Sequence, residues 1–100
     1  MPKYIAYSYE VESIDLTAFG FPGMSFTGEV HIEPDHTLDN EDWYIESATA
    51  FYEDGKTTII YRHRSEDAVN RAIFHAVRAA VLADRRLCDR IDDAAREKEE

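Results

Sequence analysis

The chain has 100 residues, of which 44% are hydrophobic and 12% aromatic; this suffices for one domain with a modest core, is too short for two, and is too apolar for a disordered segment. Against 11 lysines and arginines stand 21 carboxylates, and the net charge of −10 repels nucleic acid and anionic membranes while attracting basic protein surfaces. Direct binding of DNA or RNA, a membrane-spanning segment and a disulfide scaffold are therefore excluded from the expected classes, the last because Cys88 is the single cysteine.

Taken in order, Met-Pro-Lys-Tyr lacks the apolar run of a signal peptide, so the expected compartment is the cytoplasm. From Tyr4 to Val11 the residues alternate, with Ile5, Tyr7, Tyr9 and Val11 on one side, which predicts a half-buried strand. Glu12 to Leu16 is more polar and is expected to leave the sheet. Gly20, Pro22 and Gly23 among Phe19, Phe21 and Met24 predict an ordered loop whose aromatic residues fold back over the sheet. Phe26, Gly28, Val30 and Ile32 alternate with Thr27, Glu29, His31 and Glu33 in a second half-buried strand, which Pro34 ends, and Asp35 to Asp42 is a polar loop.

Trp43 opens a third strand, and Asp54-Gly55 supplies the positive φ angles of a tight hairpin into a fourth. A two-residue turn would set Tyr52 opposite Thr57, Ala50 opposite Ile59, Ala48 opposite Tyr61 and Glu46 opposite His63. The other face would then carry Trp43, Ile45, Phe51 and Ile60, and the pattern does not choose which face a helix covers. Ser65 is the expected cap of a helix whose apolar stripe runs through Val69, Ala72, Ile73, Ala76, Val77, Ala80 and Val81, widened by Phe74 and Leu82. The stripe resumes at Leu87, Ile91 and Ala94; an unbroken helix would be about 50 Å long, more than a domain of this size needs, so a break is expected near Asp84. The alternative is a projecting helix that dimerises. The charged tail from Arg96 to Glu100 is expected to fray. The fold class is thus α+β: an antiparallel sheet of about four strands in a single domain, followed by one or two C-terminal helices.

Few residues group in a way that suggests chemistry. His31, Glu33, Asp35 and His36 are metal-ligating types within six residues, with His31 and Glu33 on one face of a strand. Their spacing is not that of a helical zinc site and Pro34 interrupts them, so a solvated strand edge is preferred and no metal or other cofactor is expected. Asp35, Asp39, Glu41 and Asp42 lack the glycine and terminal glutamate of a calcium loop. Glu46 facing His63 reads as a cross-strand ion pair, and Cys88 as a partly buried small residue. No phosphate loop, nucleophile elbow or catalytic triad pattern is present, so no enzymatic activity is expected.

Charge segregation is more specific. Residues 4 to 55 contain no lysine or arginine and twelve carboxylates, whereas Arg62, Arg64, Arg71, Arg78, Arg85, Arg86, Arg90 and Arg96 follow in the last strand and helices. The plainer explanation is an acidic face paired internally with those arginines. The functional explanation is a surface whose carboxylates imitate nucleic-acid phosphates and occupy a basic groove of another protein. Charge density selects Glu29, Glu33, Asp35, Asp39, Glu41, Asp42 and Glu46 as its contact residues, with Tyr7, Tyr9, Tyr44 and Tyr52 as aromatic anchors.

The alternating tyrosine-rich start at Tyr4 to Val11, the acidic middle and the close Ala-Val-Leu-Ala-Asp-Arg-Arg-Leu-Cys-Asp-Arg-Ile-Asp-Asp-Ala-Ala at residues 80 to 95 resemble small acidic proteins of bacteriophages and prophages, some of which are anti-CRISPR inhibitors. That resemblance implies a non-enzymatic inhibitor acting in the cytoplasm of a bacterial host, with a basic protein or complex of a defence system as its partner. It carries over no individual residues. A self-associating structural or assembly protein, a possible homodimer without nucleic-acid mimicry, is the alternative.

Overall fold

The computed structural model describes residues 4–38 and 42–96. Four antiparallel strands, β1 (Tyr7–Asp15), β2 (Ser25–Pro34), β3 (Trp43–Phe51) and β4 (Thr58–Arg62), lie side by side in chain order, followed by α1 (Ala68–Ala83) and α2 (Arg85–Ala95). This is the α+β architecture that the alternation and the hairpin signal predict. Phe26, Val30 and Ile32 from β2, Ile45, Ala48 and Ala50 from β3, and Phe74, Val77, Val81 and Ile91 from the helices form one buried layer between sheet and helices. Each large aliphatic side chain removed from water there contributes about 1.5–3 kcal/mol.

The strand register of the hairpin is the expected one: Ala50 pairs with Ile59, Ala48 with Tyr61, and the Tyr52 amide donates to the Thr57 carbonyl. The turn itself is longer than the two residues expected: the Gly55 amide donates to the Tyr52 carbonyl, Gly55 but not Asp54 takes a positive φ, and the Asp54 carboxylate closes the loop by accepting from the amides of Lys56 and Thr57. What the pattern left open, the choice of covered face, is decided by a bulge. His31 pairs with Ser47 but the next residue, Ile32, pairs with Ile45, so Glu46 is an extra residue in β3. Because side chains alternate, one inserted residue flips everything before it. Trp43 and Ile45 thereby turn to the same side as Ala48 and Ala50, leaving Phe51 and Ile60 on the uncovered side.

A second bulge corrects the reading of Glu12 to Leu16. The strand does not leave the sheet there: Val11 pairs with Gly28 and Ile14 with Phe26, and Glu12 and Ser13 together oppose Thr27. Ser13 takes φ +52° and its amide donates to Thr27 Oγ1 at 3.0 Å, which bends this outer strand and blunts it against edge pairing. Leu16 is fully buried, and Phe19, Phe21 and Met24 pack against the core, as expected for a loop folded back over the sheet.

Two details of the helices differ from expectation. Asp67, not Ser65, caps α1, its carboxylate accepting from the amides of Val69 and Asn70, while Ser65 Oγ accepts from the Asp67 amide. The buried stripe is also rotated toward Phe74, leaving Val69 and Leu82 exposed. The break falls at Asp84 as expected. Its carboxylate caps α2 by accepting from the Leu87 amide, and the second helix folds back so that Ile91 is fully buried. No described helix is long and apolar enough to cross a membrane.

The other outer strand, β4, is guarded by a side chain. Asn70 Oδ1 accepts from the Arg62 amide at 2.9 Å and its Nδ2 donates to the Ile60 carbonyl at 2.9 Å, so one amide group mimics a neighbouring strand on that edge. Beside it Phe51, Ile59 and Ile60 are exposed. Asn70→Ala is therefore expected to cost about 1–2 kcal/mol and to expose an edge next to an apolar patch. Sedimentation velocity over a concentration series would show association in the variant beyond that of the parent.

Candidate functional site: the uncovered face of the sheet

Opposite the helices, no described element covers the sheet. Its outward residues fall into rows across the strands, Ser8–His31–Ser47–Arg62 and Glu10–Glu29–Thr49–Ile60, with Glu33 beside Tyr44. Period-two alternation in β2 presents Glu29, His31 and Glu33 together on this face. The bulge adds Glu46 opposite His31. Among the strand residues Arg62 is the only lysine or arginine.

At the centre, His31 Nε2 lies 2.9 Å from Glu33 Oε1 and 3.3 Å from Glu46 Oε2, and Nδ1 lies 3.1 Å from Ser8 Oγ. Side-chain exposures of 34%, 30% and 50% for His31, Glu33 and Glu46 place the cluster at the surface but partly walled by its neighbours. Both ring nitrogens are thus held: the Ser8 hydroxyl donates to a bare Nδ1 when the Nε2 proton is given to Glu33. The serine, histidine and carboxylate are joined by hydrogen bonds, and none of them lines the clefts found among the described residues between Tyr9 and Arg90, between Trp43 and Arg78, and between Phe26 and Tyr61.

No family model, curated protein or solved structure matches this chain.

Of the seven contact residues selected by charge density, Glu29, Glu33 and Glu46 share the uncovered face. Asp35 and Asp42 lie at the junction of β2 and β3, with the Asp35 amide donating to the Asp42 carbonyl at 2.9 Å. Their carboxylates shape the chain locally: Asp35 Oδ1 accepts from the amide and hydroxyl of Thr37, and Asp42 Oδ1 from the Trp43 amide. Asp39 and Glu41 lie outside the described residues. The metal-type grouping in the sequence is likewise rearranged, since His31 and Glu33 gather Glu46 rather than Asp35 and His36. Glu46 does not face His63, because β3–β4 pairing ends at Ser47 and Arg62; the His63 ring instead packs 6.1 Å from that of Phe74.

Glu10 is the residue the charge argument passed over. It stands directly across from Glu29, and no cation pairs with either among the described residues. Only the register of β1 on β2 brings them together, although their outward phase in the two alternating segments was a usable clue. Of the four tyrosines expected as anchors, Tyr44 shares the face, where the exposed Phe51 also lies. Tyr7 and Tyr9 pair with Ile32 and Val30 and follow the helix side, while Tyr52 turns to Tyr61, whose phenol is pushed up to about 12 by burial and then by Tyr52.

Among the described residues, the pairing of sheet carboxylates with helix arginines does not form; the ion pairs are those of His31 with Glu33 and Glu46, and of Arg96 with Asp92. Arg71 donates to the Ser65 carbonyl and Arg78 lies over the Phe74 ring, both in the helical layer. Cys88 donates to the Val81 carbonyl, and burial, with Asp84 and Asp89 nearby, raises its thiol, which disfavours the thiolate a nucleophile needs.

Proposed function

We propose that this protein is a non-enzymatic binding module that docks its uncovered sheet face on a basic, nucleic-acid-binding surface of another protein, as a phage-type inhibitor of a host defence complex would. The observation that carries this reading is the Glu10–Glu29 pair, flanked by Glu33 and Glu46, with no ion pair to arginine or lysine among the described residues. Like charges directly opposite on a sheet destabilise it, by up to about 1 kcal/mol. A surface that keeps four carboxylates at that cost gains when a cationic partner covers it. Steering by such a field accelerates encounter and fixes the choice of partner, and Tyr44, 48% exposed beside Glu33, supplies an aromatic anchor.

The test compares capture of CRISPR effector complexes from bacterial lysate by the parent chain and by the combined variant Glu10→Gln, Glu29→Gln, Glu33→Gln, Glu46→Gln. Expected are capture by the parent that fades steeply with added salt, loss of capture by the variant, and a melting temperature in Glu29→Gln equal to or above that of the parent. Equal capture by parent and variant, or capture indifferent to salt, would refute the charge reading. A second reading, self-association, has its own support in the exposed Phe51, Tyr52, Ile59 and Ile60 at the hairpin. Sedimentation of the parent as a dimer that Ile60→Lys dissociates would favour it.

A further inference from the structure

We propose that the uncovered face binds one zinc ion through His31 Nε2, Glu33 Oε1 and Glu46 Oε2, with Ser8 as the group that holds the imidazole in its ligating tautomer. The three side chains offer one ligand atom each, all within 4.8 Å of one another. Zinc bonds to nitrogen and oxygen of about 2.0–2.2 Å place neighbouring ligands of a tetrahedron about 3.3 Å apart. The observed separations from Nε2, 2.9 Å to Glu33 and 3.3 Å to Glu46, need little adjustment to meet that.

The chemistry of the donors selects the ion. One imidazole with two carboxylates suits zinc, whereas magnesium and calcium take all-oxygen sets. Two carboxylates and a neutral ring also cancel the charge of a dication. For Nε2 to ligate it must give up its proton, which then resides on Nδ1. The Ser8 contact at 3.1 Å accepts it there, since the hydroxyl oxygen receives an Nδ1–H as readily as the hydroxyl donates to a bare nitrogen. The frame is rigid for a surface site: His31 and Glu33 stand two apart on β2, and the β3 bulge that brings Glu46 opposite His31 is fixed by buried pairs on either side. The fourth position faces solvent and takes water.

This goes beyond the docking proposal and is tested without any partner. The full chain is titrated with zinc chloride by calorimetry while the imidazole nitrogens are followed by NMR. Expected are about one equivalent bound and a His31 spectrum that changes to metal on Nε2 with a proton on Nδ1. His31→Ala and Glu46→Gln each weaken binding at least tenfold, Ser8→Ala weakens it about tenfold, and His36→Ala leaves it unchanged. Magnesium and calcium at the same concentrations leave His31 unaltered. Absence of a His31 response in the parent overturns the proposal, and this readout needs no variant to fold. Equal zinc affinity in His31→Ala and Glu46→Gln, or responses only at His36, His63 or His75, overturns it as adventitious binding.

Discussion

Gly28→Ala is expected to cost the fold about 3 kcal/mol or more, enough to leave much of the chain unfolded. In most strand interiors alanine stabilises relative to glycine by about 0.5–1 kcal/mol, so the predicted sign is the reverse of the usual one. The cause is a close approach of two backbones. A Cβ built at Gly28 would lie 1.9 Å from the Thr49 carbonyl oxygen, 2.9 Å from its carbon and 3.0 Å from the Ala50 Cα. These are main-chain atoms of β3, and β2 is held from the other side by the Val11 pair, so neither strand can yield without breaking its ladder. At Gly20 and Gly23, by contrast, a Cβ meets nothing within 4 Å, so alanine there faces only the strain of a positive φ. Thermal denaturation followed by circular dichroism separates the cases. A fall in melting temperature of about 15 °C or more is expected for Gly28→Ala, and a stability equal to the parent would show that β2 and β3 do not approach as described.

Asp92 is the second site of large effect. Its Oδ1 accepts from the Tyr4 hydroxyl at 2.5 Å and the Trp43 indole at 3.1 Å, and its Oδ2 from Arg96 at 2.8 Å. One carboxylate thereby ties the segment before β1, the start of β3 and the end of α2. The Ile5 amide adds a bond to the Ala95 carbonyl at 2.8 Å. Burial alone would raise the Asp92 carboxyl, but the Tyr4, Trp43 and Arg96 donors outweigh it and hold the group below the usual carboxylate range. Asp92→Ala leaves a phenol, an indole and a guanidinium without their acceptor, at a cost of about 2–3 kcal/mol.

The pH dependence follows from the sign of that shift. A carboxylate with a lowered folded-state pKa adds stability above its unfolded value, near 3.9, and that contribution is lost as pH falls through the folded value. Asp92→Ala is therefore expected to lie furthest below the parent at neutral pH and to converge with it in acid below about pH 4. Trp43, the only tryptophan, reports the same event by fluorescence as its indole loses its acceptor. A gap between parent and variant that stays constant into acid would show that the carboxylate does not act through its charge.

Asp92 also marks where local pattern gives out. Arg96 reads in the sequence as the start of a fraying tail, and Tyr4 as the first residue of an alternating strand. In the fold Tyr4 is buried and bridged to Arg96, whose guanidinium lies 5.9 Å from the Tyr4 ring centre. Nothing in a short window links residues 88 positions apart. The candidate site shows the same limit. Alternation placed Glu29, His31 and Glu33 on one face, but Glu46 joins them only through a bulge, and Glu10 only through the register of β1.

Elements with local causes were legible in the residues: a hairpin at Asp54-Gly55 with its strand register, though not the length of its turn, the alternation of β2, the helix break at Asp84, and the separation of carboxylates from arginines along the chain. Tertiary structure alone decided which sheet face is covered, where Glu46 points, that Asp67 rather than Ser65 caps α1, and that Asp92 fastens both ends of the fold. The physical reason is the period of a strand. A single inserted residue reverses every side chain before it, and whether that insertion is tolerated depends on the apolar layer it allows Trp43 and Ile45 to join, which exists only once the helices have packed.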